Sequence, residues 1–266
     1  VNLRLFVTVR GVTEEMEPFN RHVPFWLHHF YQTAGPSGEL APGPFEGGIT
    51  VVTQPDCEAK TAFPTVSLGV SGKAGKDSID RLTRQFRAVL QMHPEADWFL
   101  YHEYDSFCLV PDFLKLLWPP AGLWHAAGVW PPAGLWANVM PNTFEHFTAK
   151  EYLNLPMLLN RVSMELLCDK FDCLAFDQED GVFDRWASRL ILQERIPYRP
   201  FGPLGFTTDI VCEQNALNCA LRLINGAAFI HGVKDIYGFN IVNKYSRANN
   251  QNKGCNYANS NEPRHD

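Results

Sequence analysis

Two carboxylates sit one residue apart where an apolar run ends: "WFLYHEYDSFCL", residues 98–109, carries Phe99, Leu100 and Tyr101 and then presents His102, Glu103 and Asp105. Neighbouring carboxylates repel each other unless a cation lies between them. At the end of a strand, alternate residues can aim two carboxylates at one ion, and hard ions such as Mg²⁺ or Mn²⁺ are held by a few carboxylates together with ligand phosphates. The simpler reading is an exposed acidic turn.

Two further clusters follow. "FDQEDG", residues 176–181, places Asp177, Glu179 and Asp180 immediately before a helical pattern. Acidic residues there cap free N–H groups and complement the positive end of the helix dipole. One suffices for that, so the surplus is available as a general base. "FIHGVKD", residues 229–235, delivers His231 and Lys234 on either side of Gly232. A glycine lets the backbone approach a ligand, imidazole binds Mn²⁺-like ions and lysine neutralises phosphate. A structural histidine at a strand end is the plain alternative.

The elements that must position these clusters alternate strand and helix. "LRLFVTV" (3–9) and "GITVVTQP" (48–55) read as buried strands, with a helix predicted over 18–33 between them, which implies a parallel crossover. "SLGVSGKAGKDS" fails the phosphate-loop template, because Asp77 follows Gly75-Lys76 where Ser or Thr is required. It reads as a loop over 69–77 leading into a helix capped by Asp77 or Ser78. That helix has Ile79, Leu82, Phe86 and Val89 on its apolar face and Arg81, Arg84 and Arg87 largely opposite. The bland reading of the arginines is a solvated face; the sharper one is that Arg81 or a neighbour reaches a ligand phosphate.

Trp98–His102 is the next predicted strand. "WPPAGLW" then occurs twice, at 118–124 and 130–136, and reads as two Pro-Gly turns around a short strand. Its Trp124, Trp130 and Trp136 either pack or stack on sugar. Residues 148–170 read as helical in two pieces broken near Pro156. An amphipathic helix is predicted over 180–195 with Phe183, Trp186 and Leu190 inward, a strand in "IPYRPF", and a helix over 212–225. The Asn-rich 246–266 reads as a mobile tail.

With 266 residues, 45% hydrophobic content and a net charge of -6, the chain is large enough for a substantial core. It lacks the basic balance that nucleic-acid binding demands. Seven cysteines without paired zinc spacing, and no run of apolar residues long enough to span a bilayer, suggest a reduced cytoplasmic protein whose anchor or leader, had it one, was removed.

In this order and context the three clusters resemble the motifs of the glycosyltransferase-A superfamily. Glu103-Tyr104-Asp105 matches its acidic metal motif in a Glu-x-Asp form, Gln178-Glu179-Asp180 its acceptor-side acidic motif, and His231 its late metal-binding histidine. The resemblance implies a GT-A-like α/β domain over 1–245. A mixed, mainly parallel central sheet would be flanked by helices, with a nucleotide-sugar half (1–110) and an acceptor half (111–245). It further implies a Mn²⁺ or Mg²⁺ ion held by Glu103, Asp105 and His231, and a nucleoside-diphosphate sugar, of UDP type, as donor. Thr8, Arg10, Asp56, Arg81, Glu103 and Lys234 would contact that donor. Asp180 or Glu179 would deprotonate a carbohydrate or other hydroxyl acceptor, inverting the anomeric centre. The rival readings are a metal-dependent phosphoester hydrolase and a noncatalytic carbohydrate-binding protein of the same fold.

Overall fold

Apolar, β-branched residues form the first strand, β1 (Asn2–Thr8), and the strands that flank it determine where the candidate residues lie. The computed structural model describes residues 2–8, 16–17, 19–20, 32–34, 40–42, 46–53, 65–67, 75–103, 107–108, 135–141, 151–178, 180–196, 198–200, 205–207, 229–231 and 240.

After β1 come the short strands β2 (Gln32–Ala34) and β3 (Leu40–Pro42), then β4 (Glu46–Thr53) and β5 (Thr65–Ser67). Helix α1 (Gly75–Met92) leads to β6 (Trp98–Glu103) and the two-residue β7 (Phe107–Cys108). β8 (Leu135–Pro141) and β9 (Glu151–Asn160) precede helices α2 (Arg161–Lys170) and α3 (Phe183–Gln193). The last strands are β10 (Tyr198–Pro200), β11 (Gly205–Thr207) and β12 (Phe229–His231).

Seven strands form one sheet in the order β10-β8-β9-β6-β1-β4-β5. β5, β4, β1 and β6 run parallel, β9 is antiparallel to both β6 and β8, and β10 is parallel to β8. This is a mixed, mainly parallel α/β sheet. Ligand sites in such sheets lie outside the carboxyl ends of the parallel strands. Here that edge carries Thr8, Thr53, Ser67 and Glu103, with Thr8 paired directly to Glu103. β11-β12-β7 form a second sheet, in which β12 lies beside β9 and β11 beside β8.

The core lies under the three helices. Ile79, Leu82, Phe86 and Val89 of α1 meet Phe99 and Tyr101 of β6, Leu153, Met157 and Leu159 of β9, and Phe183, Trp186 and Leu190 of α3, all buried. Phe86 sits at its centre, with ring centroids 4.9 Å from Tyr101 and 5.5 Å from Phe183. Leu100 and Leu158 point to the other face and are equally buried, so the sheet is covered on both sides there. At the lower end of β6, Arg161 donates to the carbonyls of His93 and Ala96 at 2.6 and 2.9 Å, tying the start of α2 to the turn after α1.

Several sequence expectations are corrected. Residues 151–160, predicted helical, are the longest strand; only Arg161–Lys170 is helix. The apolar run is continuous because β9 is a central strand buried on both faces, which removes the alternation that marks a strand. Pro156 lies at an irregularity: Asn138 pairs with Asn154 but Ala137 with Met157, leaving Leu155 and Pro156 unopposed. A residue without an N–H is tolerated at such a bulge, so its presence does not signal a broken helix. Asn160 ends the strand in extended conformation and caps α2, accepting from the Ser163 amide at 2.8 Å.

α1 starts at Gly75, so Asp77 and Ser78 belong to its first turn and do not cap it. Gln32 and Thr33 are strand instead of the end of a helix, although Met16, Glu17, Phe19 and Asn20 are helical. The predicted 212–225 helix, the strand between the two Trp-Pro-Pro repeats and the 246–266 tail lie outside the described residues.

Candidate functional site at the carboxyl edge of the sheet

Glu103 closes β6 half-buried, with its backbone opposite Thr8. Four residues later the chain re-enters a strand at Phe107, and the antiparallel ladder of the second sheet pairs Phe107 with Ile230 and Cys108 with Phe229. His231 therefore continues β12 in the direction that, on the partner strand, leads back from Phe107 toward Asp105. Asp105 itself lies outside the described residues, as do Arg10, Asp56, Gly232 and Lys234. Among the described residues no group of three His, Cys, Asp or Glu side chains gathers at one point. The donor types nominated for the ion, two carboxylates and an imidazole, suit Mn²⁺ or Mg²⁺ in kind.

The acidic turn before α3 is built differently from the expectation. Asp180 is 2% exposed. Arg189, two turns into α3, donates from Nε to one of its carboxylate oxygens at 3.0 Å and from Nη2 to the other at 2.5 Å. The Asp177 backbone N–H adds a third bond at 3.0 Å. A bidentate guanidinium–carboxylate pair fixes orientation as well as charge. Arg189 also reaches the Ala175 carbonyl and Trp186 the Leu174 carbonyl, at 2.9 and 3.3 Å. The left-handed φ of +64° at Gly181 lets the chain turn from this loop into α3.

Residues 174–178 and Asp180 are thus gripped by one helix. The sequence offered Asp180 as a general base; the structure has it enclosed and engaged on both oxygens. Its geometry serves to hold the turn. Glu179, the alternative nominee, lies outside the described residues.

No family model matches the chain, and no curated protein matches it. The solved structures to which the chain shows similarity include the following two. The crystal structure of mouse xyloside xylosyltransferase 1, apo form, is 9% identical with a TM-score of 0.48, over 87% of this chain and 97% of that one. The crystal structure of a glycosyltransferase involved in the glycosylation of the major capsid of PBCV-1 is 8% identical with a TM-score of 0.43, over 94% and 100%. Likeness of this degree decides neither the chemistry nor the role of any residue. Among the described residues no helix is long and apolar enough to cross a membrane.

The three arginines of α1 divide. Arg84 pairs with Asp80 on the exposed face at 3.3 Å. Arg87 pairs with Asp172 at 2.7 Å and donates to the Cys168 carbonyl at the end of α2. Arg81, expected with them on the solvated face, is instead 8% exposed. Trp124 and Trp130 fall outside the described residues, and Trp136 stands in β8 opposite Leu158 and Arg199.

Sequence reasoning missed Arg189. The signal for Arg189 was a cation on α3 within reach of a surplus of acids at its start.

Proposed function

We propose that the protein transfers a sugar from a nucleoside-diphosphate sugar to an acceptor hydroxyl. The observation that carries this reading is the pairing of β12 with β7. It sets β12, which ends in His231, beside the short strand that follows Glu103 in the chain. The same edge carries Thr8, our nominee for a nucleotide contact, together with Arg10 and Asp56, which follow β1 and β4 in the sequence. A Mn²⁺ or Mg²⁺ ion held by Glu103, Asp105 and His231 would supply positive charge where the diphosphate departs.

The remaining roles belong to the chain itself. Lys234 and Arg81 bring positive charge to the anionic part of the donor. The acceptor oxygen attacks the anomeric carbon, the bond from that carbon to the diphosphate oxygen breaks with its electron pair leaving on the diphosphate, and the acceptor proton passes to a carboxylate of the 177–180 turn. Because Asp180 is enclosed by Arg189, we assign the proton to Glu179 and give Asp180 the task of holding the turn that presents it. Attack opposite the leaving group inverts the centre.

Thermal denaturation with Mn²⁺, a nucleoside diphosphate, and both together tests the reading. A shared site requires that the two raise the melting temperature more than the sum of either alone; strictly additive shifts count against it. Glu179→Gln should abolish transfer while donor binding persists.

A further inference from the structure

One more residue stands level with the end of β12. β11 runs parallel to β12 and pairs Gly205 with Phe229, Phe206 with Ile230 and Thr207 with His231. On its other side β12 meets β7, which pairs Cys108 with Phe229 and Phe107 with Ile230. Ladder partners share a face of the sheet, and successive residues alternate between faces. The second sheet is therefore built of three rows. Gly205, Phe229 and Cys108 form the first and Phe206, Ile230 and Phe107 the second, and neither brings a charge, an amide or a hydroxyl. The third row, at the carboxyl ends of both parallel strands, is Thr207 and His231. A hydroxyl residue and an imidazole thus share one face on adjacent strands, whose axes lie about 4.8 Å apart.

A valine would serve β11 as well as a threonine does, since both are β-branched and favoured in strands. What threonine adds is an oxygen that donates and accepts. A histidine that binds an ion through one ring nitrogen almost always donates the N–H of the other to an oxygen, which fixes the tautomer and the ring orientation and raises the basicity of the ligand. Such support is effective when it comes from a rigid element. β11 is one, being laddered to β12 and lying beside β8, as β12 lies beside β9.

We infer that Thr207 is a positioning residue of the ion site, acting through His231. This rests on the sugar-transfer reading, which nominates Glu103, Asp105 and His231 for Mn²⁺ or Mg²⁺, and adds a residue that sets the affinity for the ion without binding it.

The full chain is titrated calorimetrically with Mn²⁺ and melted metal-free, as the parent, as Thr207→Val, Thr207→Ser, Thr207→Ala and His231→Ala, and as the double variant of Thr207→Val with His231→Ala. Thr207→Val should weaken Mn²⁺ binding about tenfold or more while melting close to the parent. Thr207→Ser keeps the oxygen and should bind nearly as the parent does, whereas Thr207→Ala should follow Thr207→Val. In the His231→Ala background Thr207→Val should bring no further loss, because the residue it positions is gone. Should Thr207→Val melt well below the parent, Thr207→Ser against Thr207→Ala, which both lack the γ-methyl, carries the comparison.

Thr207 variants that bind as tightly as the parent, beside a weakened His231→Ala, overturn the inference and leave the transfer reading standing. So does an equal loss from Thr207→Val in both backgrounds, which would make Thr207 act independently of His231. A Thr207→Ser protein as weak as Thr207→Ala does the same, since the oxygen would then carry none of the effect. Failure of the parent to bind Mn²⁺, or a His231→Ala protein as tight as the parent, overturns both the inference and the ion site on which it rests.

Discussion

Arg189 takes both carboxylate oxygens of Asp180 in a pair that leaves the acid 2% exposed and the arginine side chain 23% exposed. Removing one member of such a pair strands the other. Arg189→Met should therefore destabilise the protein by about 3–5 kcal/mol. Asp180→Asn keeps the shape and an acceptor oxygen, so combining it with Arg189→Met should cost less than the sum of the two. Urea denaturation of the four proteins measures that coupling. Additive losses would mean that the two side chains do not act as a unit.

Ser188 joins α3 to β9 from inside the core. Its hydroxyl accepts the Leu153 amide at 2.7 Å, and it also lies 2.6 Å from the Asp184 carbonyl and 3.1 Å from that of Leu153. Ser188→Ala leaves the buried Leu153 N–H without an acceptor, at about 1–3 kcal/mol. Hydrogen exchange at Leu153 should accelerate beyond what the global loss of stability explains, and an unchanged protection ratio would count against the bridge.

The two described thiols differ in environment. Burial pushes Cys168 up to about 12, with Arg87 opposing the shift, whereas Cys173 is exposed. Alkylation of the folded protein at mildly alkaline pH should label Cys173 and spare Cys168, read by peptide mass mapping. The folded-state value is the higher one, so the neutral thiol's contribution to stability is full below the ordinary thiol pKa of about 8.5. It is lost as pH rises through that value toward the folded one. Denaturation midpoints of the parent and Cys168→Ala should converge across that window.

Where one face of an element is buried, its sequence reveals it. Ile79, Leu82, Phe86 and Val89 mark α1, and Phe183, Trp186 and Leu190 mark α3, because each helix meets the sheet on a single side. β9 conceals itself for the opposite reason: with Leu158 covered on one face and Met157 and Leu159 on the other, nothing along it alternates. β5, β7 and β11 span only three, two and three residues, too few for any period. At the site, the acidic end of β6 was legible as a strand that stops in charge. The Arg189–Asp180 clamp and the enclosure of Arg81 were not, since which cation meets which acid, and which arginine of a stripe is covered, depend on how helices pack.

β7 is also what makes a test of His231 informative. It is held to β12 by only two residue pairs, yet on the proposed reading it is the connection by which His231 approaches Glu103. If that approach serves an ion, His231→Ala should weaken Mn²⁺ affinity by at least about tenfold, or ~1.4 kcal/mol. It should leave the metal-free melting temperature close to that of the parent, because the ladder is made of backbone bonds. Asp105→Asn should weaken Mn²⁺ binding in the same direction. The double variant should lose little more than the stronger single one, since a site already lacking a ligand has less affinity left to lose. Isothermal titration with Mn²⁺ reads all four proteins. A His231→Ala protein that binds the ion as tightly as the parent removes the histidine from the metal site and leaves β12 a purely structural strand.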